Sequence, residues 1–345
     1  LQPKQVVAFA SQTMPVLAVL RKNLLEDKLT RIYYLDKSPK AFDFDALKQV
    51  YGYQFEVKEV NDTEDIHSFE GITIFISEAS SLRAIDLHPS IDILVHLDKD
   101  LGSVLVAEGE SLDDYILDIQ HVRRRESIAM TPPNAFSALQ KLAGLTPTPN
   151  SKKEEKANRT SVINSVHSIT DTSNDVVLGS CGLSVQYAIM MGLIDNAQQT
   201  YPKKPIKIIV PPNCYGGTND QARRVAESAE NVSIMDLPVD KDNDMVDSTH
   251  QVLDQAARED AVPLIIAEIP TNPRVEVPDL RLLEAALSKE GQNSTGQTAT
   301  APVFILDQTF CPNVQFLSDS GIFSDVQTIS YVSGSKFPSG GKRTA

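Results

Sequence analysis

The feature that most constrains the fold is a series of short apolar runs in the second half of the chain, separated by segments with helical spacing. Residues 206–210 and 263–267 are almost wholly apolar, and helical spacing spans 221–229 and 249–257. Apolar runs of this length are typical of strands buried on both faces of a parallel sheet. Their alternation with helices predicts an α/β fold with a mostly parallel sheet from about residue 160 onward.

A set of motifs stands at or after the ends of these runs. They are, in chain order, the turn Cys181-Gly182-Leu183 after the strand-like stretch 176–178, Tyr215 in Tyr-Gly-Gly-Thr, Asn272 in Asn-Pro, Asp307 and Thr309, and then Ser333, Ser335 and Lys336. The carboxyl ends of parallel strands meet at one edge of a sheet, where open α/β sheets bind ligands. We therefore expect these residues to form one site.

The residue types in this set are those that a pyridoxal phosphate (PLP) site needs. A lysine can bind the cofactor's aldehyde covalently, and an acid can keep the pyridine nitrogen protonated so that the ring accepts electrons. Backbone N–H groups at a helix start and hydroxyls beside the lysine suit the phosphate. A tyrosine suits the ring face. Taken singly, each motif also fits an ordinary turn, a packed tyrosine or a proline-rich loop, and it is the ordered set that points to PLP.

Together these motifs resemble the Cys/Met-metabolism family of PLP-dependent enzymes, which includes cystathionine γ-synthase, cystathionine lyases and methionine γ-lyase. The resemblance covers roughly residues 155–345. It implies the aspartate aminotransferase-type fold (fold type I), with helices on both faces of the sheet. It also implies PLP as cofactor and β- or γ-elimination or replacement on an amino-acid substrate: a homoserine ester, cystathionine or methionine.

The resemblance gives each matched position a role. The phosphate turn falls on Cys181, Gly182 and Leu183, the ring-stacking tyrosine on Tyr215, the amide for the ring hydroxyl on Asn272, the pyridine-nitrogen aspartate and its neighbouring threonine on Asp307 and Thr309, and the two hydroxyls and the cofactor-binding lysine on Ser333, Ser335 and Lys336. By this resemblance the catalytic residues are Lys336, which also moves protons, and Tyr215, which assists proton transfer.

Two departures from the family pattern leave alternatives open. The family's Tyr-x-Arg pair, which reaches a neighbouring subunit's cofactor phosphate, is missing before Asn158-Arg159-Thr160, and the chain ends soon after Lys336, where the family's C-terminal domain is expected. One hypothesis is therefore an active enzyme of sulfur amino-acid metabolism, complete or as a fragment. The other is a divergent PLP-fold pseudoenzyme that acts as a binding or scaffold subunit. Because family sites are built across a subunit interface, we expect a homo-oligomer, with Arg159 or one of Arg123, Arg124 and Arg125 as substitutes for the missing arginine.

The first part of the chain repeats the same order of segments without the chemical groups. Residues 9–20 compare with 179–190, residues 72–78 with 263–268, and residues 90–96 with 324–330. We interpret this as an internal duplication whose first copy is shortened and degenerate, and we expect Lys99 to be a surface lysine. The predicted domains are a degenerate α/β copy at 1–110, a helical segment and linker at 111–160, with 146–160 as linker or long loop, and a PLP-binding domain at 161–345. A second loop is expected at 288–302.

The acidic composition of the chain argues against nucleic acids and membranes as partners. The 345-residue chain has a formal net charge of −14, which disfavours nucleic acids and anionic membranes. No apolar run reaches the ~18 residues that a membrane span needs. The first residues, Leu1 to Lys4, do not resemble a signal peptide, and the lack of an initiator Met leaves open that the natural N-terminus is missing. Three widely spaced cysteines are typical of free thiols in a reducing compartment, which predicts a cytoplasmic protein. The histidines show no metal-ligand spacing, so no metal site is predicted.

Overall fold

The structure is a computed structural model and describes residues 5–78, 88–107, 112–142, 144–147, 155–240 and 243–336. The chain divides into two compact units, residues 1–153 and 154–345. Each unit contains one sheet. The finer domain division predicted from the sequence, at residues 110 and 160, stays a prediction.

The first unit is built on a six-stranded sheet. Its strands are β1 Val6–Phe9, β2 Thr30–Leu35, β3 Glu56–Val60, β4 Ile72–Ser77, β5 Ile93–Asp98 and β6 Gly102–Ala107, and its helices are α1 Met14–Leu25, α2 Phe44–Gln49, α3 Asp113–Glu126 and α4 Pro132–Leu142. The strand order is β1-β6-β5-β4-β2-β3. Strands β2 to β5 are parallel, whereas β6 runs antiparallel to both β5 and β1.

The core of the first unit lies between this sheet and two helices. In α1 a continuous stretch from Met14 to Arg21 is buried, and α1 packs against α3. The helix α3 contributes Ile116, Ile119 and Val122 to the same apolar cluster. Burial of such side chains is the main favourable contribution to folding.

The second unit is built on a five-stranded sheet in the order β11-β10-β9-β7-β8. Its elements are α5 Glu155–Thr170, α6 Gly182–Thr200, β7 Ile206–Val210, α7 Gly216–Ser228, β8 Val232–Asp236, α8 Met245–Arg258, β9 Val262–Glu268, α9 Leu280–Ser288, β10 Val303–Asp307 and β11 Thr328–Tyr331. All pairings between these strands are parallel. The predicted α/β class with a mostly parallel sheet is confirmed.

Both faces of the second sheet are covered. Every residue of β9 is buried, which explains why the run carries no polar face. Ile209, Ile265 and Phe304 form one apolar cluster with residues of α8 and α9. Neighbouring residues of a strand point to opposite faces, so Ile208 and Leu264 lie on the other face, where α6 contacts β11 and α7 contacts β7.

Two local predictions are wrong. The linker interpretation of 146–160 fails from Glu155 onward, because α5 begins there. The strand-like stretch 176–178 is not a strand: it pairs with no described strand, and Val177 is exposed. A strand needs a neighbour to receive its backbone hydrogen bonds, and this segment has none in the described part of the chain. The loop predicted at 288–302 is present after α9, with one isolated bridge between Gln292 and Thr298.

Candidate active site

The predicted residues of the second unit lie at the carboxyl edge of its sheet. Asp307 ends β10, Tyr215 follows β7, and Ser333 follows β11. Asp307 is also paired in register with Glu268, the last residue of β9. The parallel direction of the strands brings these positions together, as expected for a ligand site of an open α/β sheet.

The turn before α6 offers backbone donors. Cys181 is the N-cap: its Sγ accepts the Ser184 N–H at 3.4 Å, and Ser184 Oγ accepts the Cys181 N–H at 3.0 Å. Within the described residues, the N–H groups of Gly182 and Leu183 have no hydrogen-bond acceptor. The first N–H groups of a helix lack intrahelical partners and carry partial positive charge, so this turn suits an anion.

Gly182 brings the lysine segment against this turn. A Cβ atom at Gly182 would lie 2.7 Å from Ser333 Cβ and 3.1 Å from Ser333 Oγ. Ser333 Oγ is itself 2.9 Å from Ser335 Oγ. A pair of hydroxyls therefore stands beside the free N–H groups at the start of α6, in a cradle that only glycine leaves open.

Tyr215 and Lys336 share the same place. Tyr215 is the N-cap of α7 and is 43% exposed. Its ring lies over Gly217, where a Cβ would come within 2.5 Å of Tyr215 Cε1 and 3.0 Å of Leu183 Cδ1. Lys336 Nζ is 5.9 Å from the centroid of the Tyr215 ring. The aromatic ring, the amine and the helix turn thus border one space.

Asp307 is tied to the lysine segment through Thr309. Asp307 Oδ1 accepts the Thr309 N–H at 2.9 Å, and Thr309 Oγ1 accepts the Ser333 N–H at 2.9 Å. Burial raises the pKa of Asp307, and hydrogen bonds from Thr309 and the charge of Lys336 partly offset this rise. A nearby cation would favour the ionised carboxylate further.

Asn272 lies in the loop after β9 and is joined to the others less directly. Its backbone N–H lies close to the carboxyl group of Glu268. Its side-chain amide makes no hydrogen bond to any residue that the structure describes, and it remains available to a ligand. An amide can both donate and accept a hydrogen bond.

Sequence reasoning gave no role to Glu268. The side chain is 5% exposed, and Glu268 Oε1 accepts the Tyr215 N–H at 2.8 Å. Burial raises its pKa to about 7. The available signal was a single ionisable residue at the end of an otherwise apolar run, because a buried carboxyl group needs a reason to be there.

None of the three cysteines forms a disulfide bond with a described residue. Burial raises the pKa of Cys214 to about 12 and that of Cys311 to about 11. Cys181 serves as the helix cap described above. The thiolate is the nucleophilic form of cysteine, and burial disfavours this form at Cys214 and Cys311.

The described residues contain neither a metal-binding cluster nor a membrane-spanning helix. Among the described residues, no group of three or more His, Cys, Asp or Glu side chains is placed to hold a metal ion. No helix in the same ranges combines the length and hydropathy that crossing a bilayer requires.

Comparison with known proteins yields only distant structural similarity. No family model and no curated protein matches the chain. Among solved structures, it is similar to metB from Corynebacterium glutamicum, with 19% identity, TM-score 0.35, and 53% of this chain and 39% of that chain covered. It is similar to an O-acetylhomoserine sulfhydrylase from Wolinella succinogenes, with 16% identity, TM-score 0.36, and 55% and 45% covered.

A third similar structure is cystathionine gamma synthase from Xanthomonas oryzae pv. oryzae in complex with aminoacrylate and cysteine, with 19% identity, TM-score 0.29, and 45% of this chain and 32% of that chain covered. The chain therefore spans less than half the length of each of these three structures. Similarity at this level identifies neither a family nor an activity.

Proposed function

We propose that the second unit binds PLP through Lys336 and belongs to an enzyme of sulfur amino-acid metabolism in the Cys/Met-metabolism family. The observation that carries this proposal is the convergence of Lys336 Nζ, the Tyr215 ring and the Gly182–Ser333 cradle at the carboxyl edge of a parallel sheet. PLP, when bound, supplies an electron sink for reactions at the Cα of an amino acid.

The residues that fit the phosphate are those of the cradle. The N–H groups of Gly182 and Leu183 point from the helix start, with Cys181 as its cap, and the hydroxyls of Ser333 and Ser335 stand beside them. A side chain at position 182 would fill this space. The fit therefore rests on free donors and on room for an anion.

The residues that fit the ring are Tyr215, Asn272 and Asp307. Tyr215 offers an aromatic face, the Asn272 amide suits the ring hydroxyl, and Asp307 suits the protonated ring nitrogen, with Thr309 holding its carboxylate in place. Lys336 is the amine that binds the cofactor and then carries a proton to or from the substrate Cα. Tyr215 assists this proton transfer.

The substrate class comes from the motif resemblance. We infer elimination or replacement on a homoserine ester, cystathionine or methionine. Cysteines without disulfide bonds fit a cytoplasmic location.

A second candidate function is a PLP-fold binding or scaffold subunit without turnover. The hydrogen bonds of Ser333 in the described part of the chain reach Thr309, Ser335 and Lys336, and none of them involves an arginine. Phosphate recognition in proteins commonly uses arginine. This candidate predicts a bound cofactor and no product.

We also propose that the first unit is a degenerate copy of the second. Both sheets contain a parallel array in which the strand order reverses in the same way, β3-β2-β4 in one and β8-β7-β9 in the other. The next strand differs from the sequence comparison: β5 lies beside β4, where the second unit has β10, whereas the sequence comparison pairs 90–96 with 324–330, which end in β11. At the start of α1, Ser11 Oγ accepts the N–H groups of Thr13 and Met14 at 3.2 Å, and Pro15 has no N–H. This helix start corresponds to the phosphate turn of the second unit. Here the Ser11 hydroxyl already accepts the N–H groups that would otherwise bind an anion. Lys99 is exposed. The part of the proposed copy at 79–87 lies outside the described residues.

The test is cofactor trapping. The full chain is incubated with PLP, reduced with borohydride to fix the lysine linkage, and digested for peptide mass spectrometry. We expect modification of Lys336 in the wild type, none in Lys336→Ala, and wild-type modification in Lys289→Ala, an exposed lysine of the same unit. Modification of Lys99 instead, or an unchanged result in Lys336→Ala, contradicts the proposal.

Turnover separates the two candidate functions. The PLP-loaded chain is given cystathionine, methionine, or a homoserine ester with cysteine, and release of ammonia, oxo acid or a new thioether is measured. Product formation that is lost in Lys336→Ala supports the enzyme. Stoichiometric trapping at Lys336 without product from any substrate supports the binding subunit.

A further inference from the structure

Glu268 lies beside Tyr215 and Asp307 in the candidate site. It ends β9, and its Oε1 accepts the backbone N–H of Tyr215 at 2.8 Å. Tyr215 begins α7 without a side-chain cap of its own, so this bond fixes the backbone from which the aromatic ring projects. The backbone N–H of Asn272 lies near the same carboxyl group. Glu268 therefore lies near the backbone of both residues that the proposed function places against the cofactor ring.

Two carboxyl groups share this space. Glu268 and Asp307 are in-register partners on neighbouring strands, so their side chains point to the same face. Burial, the charge of Asp307 and the two backbone N–H groups set the pKa of Glu268 at about 7. The other ionisable groups near the pair are Cys214, Cys311 and Tyr331, all with raised pKa, and Lys336, whose charge acts on Asp307. Two carboxylates in one buried place disfavour double ionisation.

The second oxygen of Glu268 supports this arrangement. Glu268 Oε2 is buried and has no hydrogen-bond partner among the described residues. An unpaired carboxylate oxygen in such a place is costly, whereas a protonated carboxyl group is not charged and has a donor to offer.

We propose that Glu268 is a positioning residue of the site, which anchors Tyr215 and keeps one proton so that Asp307 alone carries the negative charge beside the ring nitrogen. The inference rests on the proposed function. Neutral Glu268 leaves the pair with one charge, which matches the one positive charge of a protonated pyridine ring.

PLP affinity should fall as the pH rises. In this proposal the ring covers the small exposed part of Glu268, which raises the pKa of its carboxyl group, and Asp307 balances the positive ring nitrogen, which would otherwise lower that pKa. A proton held more tightly in the complex makes cofactor affinity fully present below about pH 7 and weaker as the pH rises above it. Glutamine keeps the acceptor for the Tyr215 N–H and cannot lose a proton in this range, so Glu268→Gln removes this component.

The experiment measures PLP affinity by absorbance titration at about pH 6 and about pH 8 for the full chain, Glu268→Gln and Glu268→Ala. Glu290→Gln, an exposed carboxylate after α9, is the matched control. We expect Glu268→Gln to bind with near wild-type affinity and a smaller pH effect, and Glu268→Ala to bind about tenfold more weakly because the Tyr215 N–H loses its acceptor. Equal pH effects in wild type and Glu268→Gln, or full affinity in Glu268→Ala, overturn the proposal.

A measurement without PLP tests the inference about Glu268 separately from the proposed function. A carboxyl group whose folded pKa is raised from about 4.3 stabilises the fold below its unfolded pKa and loses that contribution as pH rises through the folded pKa. Without PLP, wild type should therefore lose thermal stability relative to Glu268→Gln between about pH 5 and about pH 8. If the chain binds no PLP but shows this difference, the proposed function is wrong, whereas the inference that Glu268 keeps a proton holds. If the difference is absent, the inference about Glu268 fails whether or not PLP binds.

Discussion

Gly182 and Ser333 approach so closely that a Cβ atom at Gly182 would lie 2.7 Å from the Cβ of Ser333. One residue begins α6 and the other follows β11. Their approach places free helix N–H groups beside the serine hydroxyls that precede Lys336, and the proposed phosphate position depends on it.

Gly182→Ala should therefore weaken cofactor binding. The added methyl group meets Ser333, so the turn or the lysine segment must shift, at a cost of ~1–3 kcal/mol in the free energy of unfolding. We expect the PLP dissociation constant to rise at least about tenfold. Gly192→Ala is the control in the same helix, because Gly192 has nothing within 4 Å of an added Cβ; it should stabilise α6 by ~1 kcal/mol and leave PLP affinity unchanged. Equal affinities for the two variants in an absorbance titration argue against the cradle.

Asp307→Asn should separate cofactor binding from chemistry. The asparagine Oδ1 still accepts the Thr309 N–H, so the local fold is kept, while the charge beside the ring nitrogen is lost. We expect borohydride trapping at Lys336 to persist and turnover to fall about 10²-fold, the size of effect seen when a preorganised electrostatic group is removed. Asp325→Asn, an exposed aspartate in the same unit, should keep wild-type turnover. Wild-type turnover in Asp307→Asn refutes the role given to Asp307.

The sequence predicts strands and helices of the second unit, because an apolar run or a helical spacing can be read from neighbouring residues alone. The runs at 206–210 and 263–267 became β7 and β9, and the helical spacing at 221–229 and 249–257 lies within α7 and α8 except at Ala229. The start of α7 at Gly216 was missed, since its first turn is Gly-Gly-Thr-Asn, which has little helix propensity.

The errors have physical causes. The beginning of α5 is polar and largely exposed, so no apolar stripe marks it, although Glu, Lys and Ala are good helix formers. The stretch 176–178 has the residues of a strand, but pairing depends on a distant neighbour that local sequence does not specify. Glu268 receives no role from the sequence, because its burial and its bond to Tyr215 arise only when β7, β9 and β10 are assembled.

The network behind the site should matter for stability. Gln186 in α6 is fully buried, and its Oε1 accepts the Tyr331 hydroxyl at 2.8 Å and the Thr218 hydroxyl at 3.0 Å. Gln186→Leu removes the acceptor shared by two buried hydroxyls and should cost ~1–3 kcal/mol in the free energy of unfolding.

Urea unfolding measures this cost. Gln199→Leu, at an exposed position of the same helix, should change stability by less than ~0.5 kcal/mol. Adding Tyr331→Phe to Gln186→Leu should recover part of the loss, because the hydroxyl without its acceptor is then absent. An additive double variant would show that the two side chains do not interact.

The last prediction is that the PLP-loaded chain assembles into a homo-oligomer. A phosphate group held by the Gly182 and Leu183 N–H groups and the serine hydroxyls carries negative charge, and the hydrogen bonds of these groups in the described residues include no arginine. A buried charge without a counter-charge is costly, so a cation from a second copy is expected to complete the site. Sedimentation with PLP should give a species heavier than one chain, and dilution to monomer should release the cofactor.

Arg159, exposed on α5, is the residue to test as the source of this charge. Arg159→Gln should raise the PLP dissociation constant if this residue supplies the charge across the interface, whereas Arg258→Gln on α8 should not. A strict monomer that holds PLP tightly in both variants would show that the turn amides and hydroxyls suffice.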